Sequence, residues 1–190
     1  MSRRRATLAA GTALGLLLAA PAPAADADGP CPMRLAPGHS CTAQVEAAQW
    51  QSPTGLQVAP GELYCVQVPP GQVWHDLGRR NTPPHGEPGN WLMRLFSGLK
   101  RHAGSDWFSL MAAVVPQAGA DGPPAPPGAQ DLGRQPLLRI GQAGALVLYP
   151  NDAVGPPWAP RWFYDNNTGR IRVGVQRCDG DCACPAAPPA

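Results

Sequence analysis

Two short stretches near the C-terminal end of the chain hold residue types that bind hard cations. Asn151-Asp152 closes an apolar run that begins at Gly144, and Asp165-Asn166-Asn167 precedes Thr168-Gly169 and a second apolar run. Ca2+ takes six to eight oxygens from carboxylates, amide carbonyls and main-chain carbonyls. Asp152, Asp165, Asn166 and Asn167 supply several of these if the two runs end side by side. The same residue types also cap local backbone at turns, so a purely structural use of all four is equally consistent with the sequence. Between them runs a long segment, 151–167, carrying Trp158, Trp162, Phe163 and Tyr164. Aromatic faces suit the apolar face of a pyranose. Tryptophans in such a loop can stack on a sugar, obstruct the site or fold into the core.

Motifs for catalysis are missing. The chain has no Gly-x-Ser-x-Gly, no His-Glu-x-x-His and no P-loop. Glu62 and Glu87 lack an evident pairing as glycosidase carboxylates. His75-Asp76 would point to opposite faces of a strand. A non-enzyme is expected, with a secreted hydrolase as the most distant alternative.

The elements that position these residues read as β. Gly and Pro together supply 22 and 25 of the 190 residues, which argues against a helical bundle. Glu62–Val68 reads as a strand closed by Pro69-Pro70-Gly71, and Val73–Leu77 as a shorter one. Trp107–Val115 places Phe108, Leu110, Ala112 and Val114 on one face. Leu137–Ile140 and Ala145–Tyr149 follow, and Arg170–Arg177 alternates arginine with branched residues. Trp91–Leu99 fits a helical turn or a strand equally. Gly119–Gly133 is a Pro/Gly-rich connection. Short strands separated by turns predict an all-β, jelly-roll-like sandwich.

Residues 1–24 have the pattern of a signal peptide: Arg3, Arg4 and Arg5, an apolar stretch from Ala6 to Ala20, then Ala22-Pro23-Ala24. The formal charge of +2 belongs to that segment, because twelve basic and thirteen acidic residues remain beyond it, a net of −1. Such a sum offers no general electrostatic capture of nucleic acid or anionic membranes. Nothing after residue 24 is long and apolar enough to span a bilayer. The expected organisation is a signal peptide (1–24), an N-terminal extension (25–42), a β-sandwich domain (43–178) and a Cys/Pro-rich tail (179–190), in a secreted or periplasmic protein. Six cysteines suit export. Cys31 and Cys41 fall in a loop-like N-terminal segment, Cys65 in a strand, and Cys178, Cys182 and Cys184 at the C-terminus. Cys182 and Cys184 need different partners, since a Cys-x-Cys bridge is strained. Disulfides stapling both ends onto the body are expected. A metal site at Cys178, Cys182 and Cys184 is the minor alternative.

The chain resembles the PA-I-type galactophilic lectins and their galactose-binding-like β-sandwich relatives. The matching residues are Asn151-Asp152, Asn166-Asn167-Thr168-Gly169, Pro60-Gly61-Glu62 and Gly71-Gln72-Val73-Trp74. The resemblance spans residues 43–177, and its final third carries the specific motifs. It implies a calcium site with Asp152 as carboxylate, Asn166 and Asn167 as amide ligands, and Phe163 and Leu77 as main-chain ligands. It implies a sugar whose hydroxyls complete the calcium shell, with His85 in the family's sugar-gripping position. Trp158 and Trp162 would be added stacking residues, because the loop that holds them is longer than the family's. The cysteines also depart from the family. The expected function is therefore Ca2+-dependent carbohydrate binding, with galactose or another glycan as partner and oligomerisation open. The alternative is a sandwich that kept the fold and serves as a protein-interaction or inhibitory module.

Overall fold

A computed structural model describes residues 29–77, 80–116, 125–180 and 182–184. The expected signal peptide, residues 25–28 of the extension, part of the 119–133 connection and residues 185–190 lie outside the described residues. Among the described residues there are ten strands. They are β1 Ser40–Glu46, β2 Ser52–Val58, β3 Leu63–Gln67, β4 Trp74–Asp76, β5 Arg80–Thr82, β6 Leu110–Val115, β7 Gln130–Asp131, β8 Leu137–Arg139, β9 Gly144–Pro150 and β10 Arg170–Arg177. One four-stranded sheet runs β1-β10-β3-β8, a second runs β2-β9-β6-β7, and β4-β5 form a separate hairpin. All pairings between these strands are antiparallel.

The two large sheets pack face to face because each strand turns an apolar row inward. β10 buries Ile171, Val173 and Val175 and exposes Arg170, Arg172 and Gln176. Its partner β1 buries Cys41, Ala43 and Val45. From the other sheet, Leu56, Leu110, Ala112, Leu146 and Leu148 join the same buried cluster. This is the alternation that places a strand between core and solvent.

β6 and β9 differ from β10 in being buried on both faces. Met111, Ala113, Val115, Ala145, Val147 and Tyr149 form a second cluster behind their sheet. The face expected from Phe108, Leu110, Ala112 and Val114 does point to the main core.

Four strands, β1, β2, β5 and β7, were not evident as separate segments in the sequence. β2 contains Pro53 and Gly55, which depress strand propensity. It tolerates them as an edge strand whose register shifts between Pro53 and Gln57. β1 is built from small residues and crosses the expected 42/43 boundary. Cys41 therefore sits in a buried strand rather than a loop.

The ambiguous stretch 91–99 is helical: α1, Trp91–Leu95, followed by a 3-10 turn at Ser97–Leu99. Asn90 caps α1, its side-chain oxygen accepting from Met93 N at 2.9 Å. α1 buries none of its five residues. Among the described residues, no helix is long and apolar enough to cross a membrane.

All six cysteines are paired: Cys31–Cys41, Cys65–Cys184 and Cys178–Cys182. Cys182 and Cys184 have different partners, as expected. The first bridge ties the N-terminal segment to β1 and the second ties the C-terminal segment to β3. The third ties the tail to Cys178, which directly follows β10 and donates its N–H to Leu63 O at 2.9 Å, so both ends are stapled onto the body as expected. A thiolate metal site on Cys178, Cys182 and Cys184 is incompatible with these bonds.

Candidate functional site

β9 and β10 belong to different sheets, so the 151–169 connection crosses the open end of the sandwich. β9 is held between β2 and β6, and its exit delivers Asn151 and Asp152. β10 is held between β1 and β3, and its entry is Asn166-Asn167-Thr168-Gly169. The β4-β5 hairpin forms a third wall. His75 N donates to Thr168 O and Thr168 N to His75 O, each at 2.9 Å. This antiparallel bridge runs Asp76 and Leu77 alongside Asn167 and Asn166. Gly169, at φ +94, turns the chain into β10 with His75 Cδ2 only 3.3 Å from where a Cβ would stand. A larger residue there would strain the backbone and press on the hairpin.

Asp152 and Asn167 meet across this end. Asn167 Nδ2 donates to Asp152 Oδ2 at 2.7 Å, and Ala153 N donates to Asp152 Oδ1 at 2.7 Å. Both residues are buried. The amide oxygens of Asn166 and Asn167 are buried and have no hydrogen-bond partner. An unmet acceptor in the interior costs roughly 1–3 kcal/mol. Burial pushes the Asp152 carboxyl up to about 7. The hydrogen bonds from Asn167 and Ala153 oppose that rise, and the Asp76 carboxylate adds to it. Leu77 stands at φ +51, a left-handed conformation uncommon outside glycine. Strain of this kind collects where backbone orientation matters.

Asn151 has a different task from its neighbour. It is fully buried. Its Oδ1 accepts from His102 N, and its Nδ2 donates to His102 O at 3.0 Å and Asp106 O at 2.9 Å. It clamps the 102–106 loop, a structural use of an Asn at a strand end. Of the Asn151-Asp152 pair, only Asp152 faces the oxygen cluster.

The other residues singled out in the sequence lie around this centre. Asp165 is exposed and faces Arg161 at 3.7 Å, outside the buried cluster. Phe163 is half-buried against the main core. His85 is exposed on the 83–86 turn, where its carbonyl packs against Gly133 and the adjoining Gly86 against Ser109. Trp158 and Trp162 are 85% and 64% exposed, so neither is a core residue.

Three contributors were not legible as a group. Arg101 is buried, with its guanidinium 3.9 Å from the Tyr149 ring centroid and 4.4 Å from that of Trp50. It donates to Trp50 O at 2.6 Å and to the Tyr164 hydroxyl at 3.2 Å. That hydroxyl donates to Pro150 O at 2.6 Å and accepts from Asp152 N at 3.4 Å. Burial raises the Tyr164 hydroxyl to about 12, which keeps it a donor. Arg101 N also donates to Asp152 O at 2.9 Å. One buried cation and one buried phenol therefore fix the backbone on both sides of Asp152. Asp76 is the third, and its adjacency to Asp152 arises only from the hairpin. An arginine in Lys100-Arg101-His102 and a tyrosine in an aromatic loop carry no sequence signal for such a role.

No protein-family model matches the chain, and no curated protein matches it. Four solved chains match its structure. One, described as an EclA N-terminal domain and PllA-like lectin, aligns at 18% identity with a TM-score of 0.44, covering 72% of this chain and 94% of that one.

Proposed function

We propose that the protein is an exported Ca2+-dependent carbohydrate-binding protein. The observation that carries this is a buried, strongly desolvated Asp152 carboxylate that accepts from Asn167 Nδ2, while the amide oxygens of Asn167 and the adjoining Asn166 are buried without a partner. A purely turn-capping set would have its acceptors satisfied by nearby N–H groups. These acceptors instead fit a hard cation, which would compensate the buried charge and occupy the idle oxygens together. Asp152, Asn166 and Asn167 would hold the ion. Main-chain oxygens of Leu77 and Phe163 are the further ligands that the family resemblance implies. A bound Ca2+ supplies open coordination positions for adjacent hydroxyls of a sugar.

The chain's own residues do the rest. Arg101 and Tyr164 hold Asp152 in place, and the His75–Thr168 bridge holds the hairpin against Asn166 and Asn167. Exposed Trp158 and Trp162 stand on the same connection, available for stacking on a pyranose. Three disulfides are compatible with an extracellular or periplasmic location.

Calorimetric titration with CaCl2, followed by a glycan array with calcium and with chelator, tests the proposal. Asp152→Ala is expected to lose calcium affinity at least ~100-fold, since it removes the only charged ligand of the set. Equal affinity in variant and parent would reject the metal site. Calcium binding with no sugar on the array would leave a calcium-stabilised interaction module instead.

A further inference from the structure

We infer that the four cysteines where the tail meets β3 form a thiol–disulfide exchange site: an external dithiol opens one bridge, and the staple on Cys65 then passes from Cys184 to Cys182. Two bridges meet there. Cys65–Cys184 joins the tail to β3, and Cys178–Cys182 closes next to it. The Cys65 and Cys182 Sγ atoms belong to different bridges and lie 3.2 Å apart. The Sγ atoms of Cys65, Cys178 and Cys182 all fall within 4.8 Å of one another.

The fold holds these sulfurs together. Cys65 is paired in β3 with Gln176 of β10 on one side and Leu137 of β8 on the other. Cys178 directly follows β10, and its N–H donates to Leu63 O at 2.9 Å, so the tail leaves the sheet alongside β3. Cys65 is buried, whereas Cys178, Cys182 and Cys184 are half-buried at the rim. A reductant therefore meets the tail sulfurs before it meets Cys65.

The chemistry follows from the contact between bridges. Exchange is attack of a thiolate on a disulfide sulfur, and reacting atoms ~3–3.5 Å apart already stand near attack distance. The dithiol gives two electrons and two protons to Cys178–Cys182, becomes a disulfide itself and leaves Cys178 and Cys182 as thiols. Cys182 then loses its proton, and the thiolate attacks Cys65 Sγ. The Cys65–Cys182 bond forms and the Cys65–Cys184 bond breaks. Its electron pair leaves on Cys184, which takes up a proton, so this second step involves no net oxidation or reduction. Opening Cys65–Cys184 first leads to the same products, because the Cys65 thiolate then attacks Cys182 Sγ and displaces Cys178. Loop entropy does not oppose the exchange. Cys65 and Cys184 are 119 residues apart, and Cys65 and Cys182 are 117, so the two staples constrain the unfolded chain to nearly the same extent. The tail stays tied to β3 while Cys178 and Cys184 become free thiols.

The test starts from the folded, oxidised chain. A phosphine opens it partly at pH 4, where thiolates are scarce. The phosphine is removed, the chain is moved to pH 6, 7 or 8, and thiols are trapped with N-ethylmaleimide and located by fragmentation mass spectrometry. Singly opened chains are expected to gain label on Cys178 and Cys184 together, a pair that no single opening of the starting bridges exposes. That species should reach at least about a tenth of the singly opened chains, given the matched loop lengths. It should form about tenfold faster per pH unit, as thiolate attack does below the ordinary thiol value of ~8.5, and at a rate independent of protein concentration. Label confined to Cys178 with Cys182, or to Cys65 with Cys184, would overturn the inference, as would a pH-independent or concentration-dependent rate. In a second measurement, Cys178→Ser/Cys184→Ser should oxidise to Cys65–Cys182. It should melt within a few degrees of Cys178→Ser/Cys182→Ser, which keeps Cys65–Cys184. Free thiols at Cys65 and Cys182, or a much lower melting temperature in the first variant, would also overturn it.

Discussion

The two ends of β10 treat a sheltered carboxylate in opposite ways. At the Arg177 end, Glu62 receives the Arg177 guanidinium at 3.0 Å, the Tyr64 hydroxyl at 2.8 Å and Ala59 N at 3.0 Å. Two disulfides, Cys65–Cys184 and Cys178–Cys182, close that end covalently. At the Arg170 end, about 25 Å away along an eight-residue strand, Asp152 receives one side-chain amide and its neighbour's N–H. The amide oxygens of Asn166 and Asn167 are buried and go unpartnered. One end meets its polar demand from within the chain. The other leaves buried acceptors unmet. The contrast teaches that one end of the sandwich is closed by covalent and ionic bonds while the other holds desolvated polar groups.

The largest expected effect comes from breaking the closed end. Removing Cys65–Cys184, which links residues 119 apart, should cost on the order of 4–5 kcal/mol in the chain-entropy model. Urea denaturation of Cys65→Ala/Cys184→Ala measures it. Calcium affinity of the still-folded variant should stay near that of the parent, and a large fall would show that the two ends are coupled.

Next comes the open end and pH. Because burial raises Asp152 to about 7, the folded state holds this proton more tightly than the unfolded chain does. The associated stability is fully present below the ordinary carboxylate value of 3.8 and is lost as pH rises toward about 7. In chelator, melting temperature should therefore fall across that window, by an amount corresponding to a few kcal/mol. Calcium should reverse the fall at neutral pH, and Asp152→Asn should flatten the curve. A flat curve for the parent in chelator would show that Asp152 carries no desolvation penalty.

The smallest effect sharpens the contrast within the open end. Tyr164→Phe removes the hydroxyl that links Arg101, Pro150 O and Asp152 N. A loss of about 1–3 kcal/mol is expected from the buried groups left unpaired. Calcium affinity should drop with it if this phenol positions Asp152. An unchanged affinity would assign Tyr164 to folding alone.

The legible part of this molecule followed from local pattern. Arg170–Arg177 alternates in the sequence and forms a strand with those same limits. The apolar runs ending at Val115 and Tyr149 read as strands because bulky residues dominate them, and the second extends one residue further, to Pro150. β2 escaped notice because Pro53 and Gly55 argue against a strand, and only an edge position with a bulge accommodates them. At the candidate site, Asp152, Asn166 and Asn167 stood out by residue type beside strand ends. Arg101, Tyr164 and Asp76 did not, because their roles depend on partners that only the packed chain brings to them.

The sequence by itself determined the β class, the oxygen-bearing residues at two strand ends and the abundance of cysteine. These follow from side-chain period and residue chemistry, which are local. Tertiary structure decided which residues share the open end. It sent β9 and β10 into different sheets, bringing Asp152 and Asn167 within a hydrogen bond. It turned Asn151 into a clamp, Asp165 toward solvent and the loop tryptophans outward. The reason is physical: burial and cross-sheet proximity belong to the packed chain, and they set both the charge state of Asp152 and the neighbours of its oxygens.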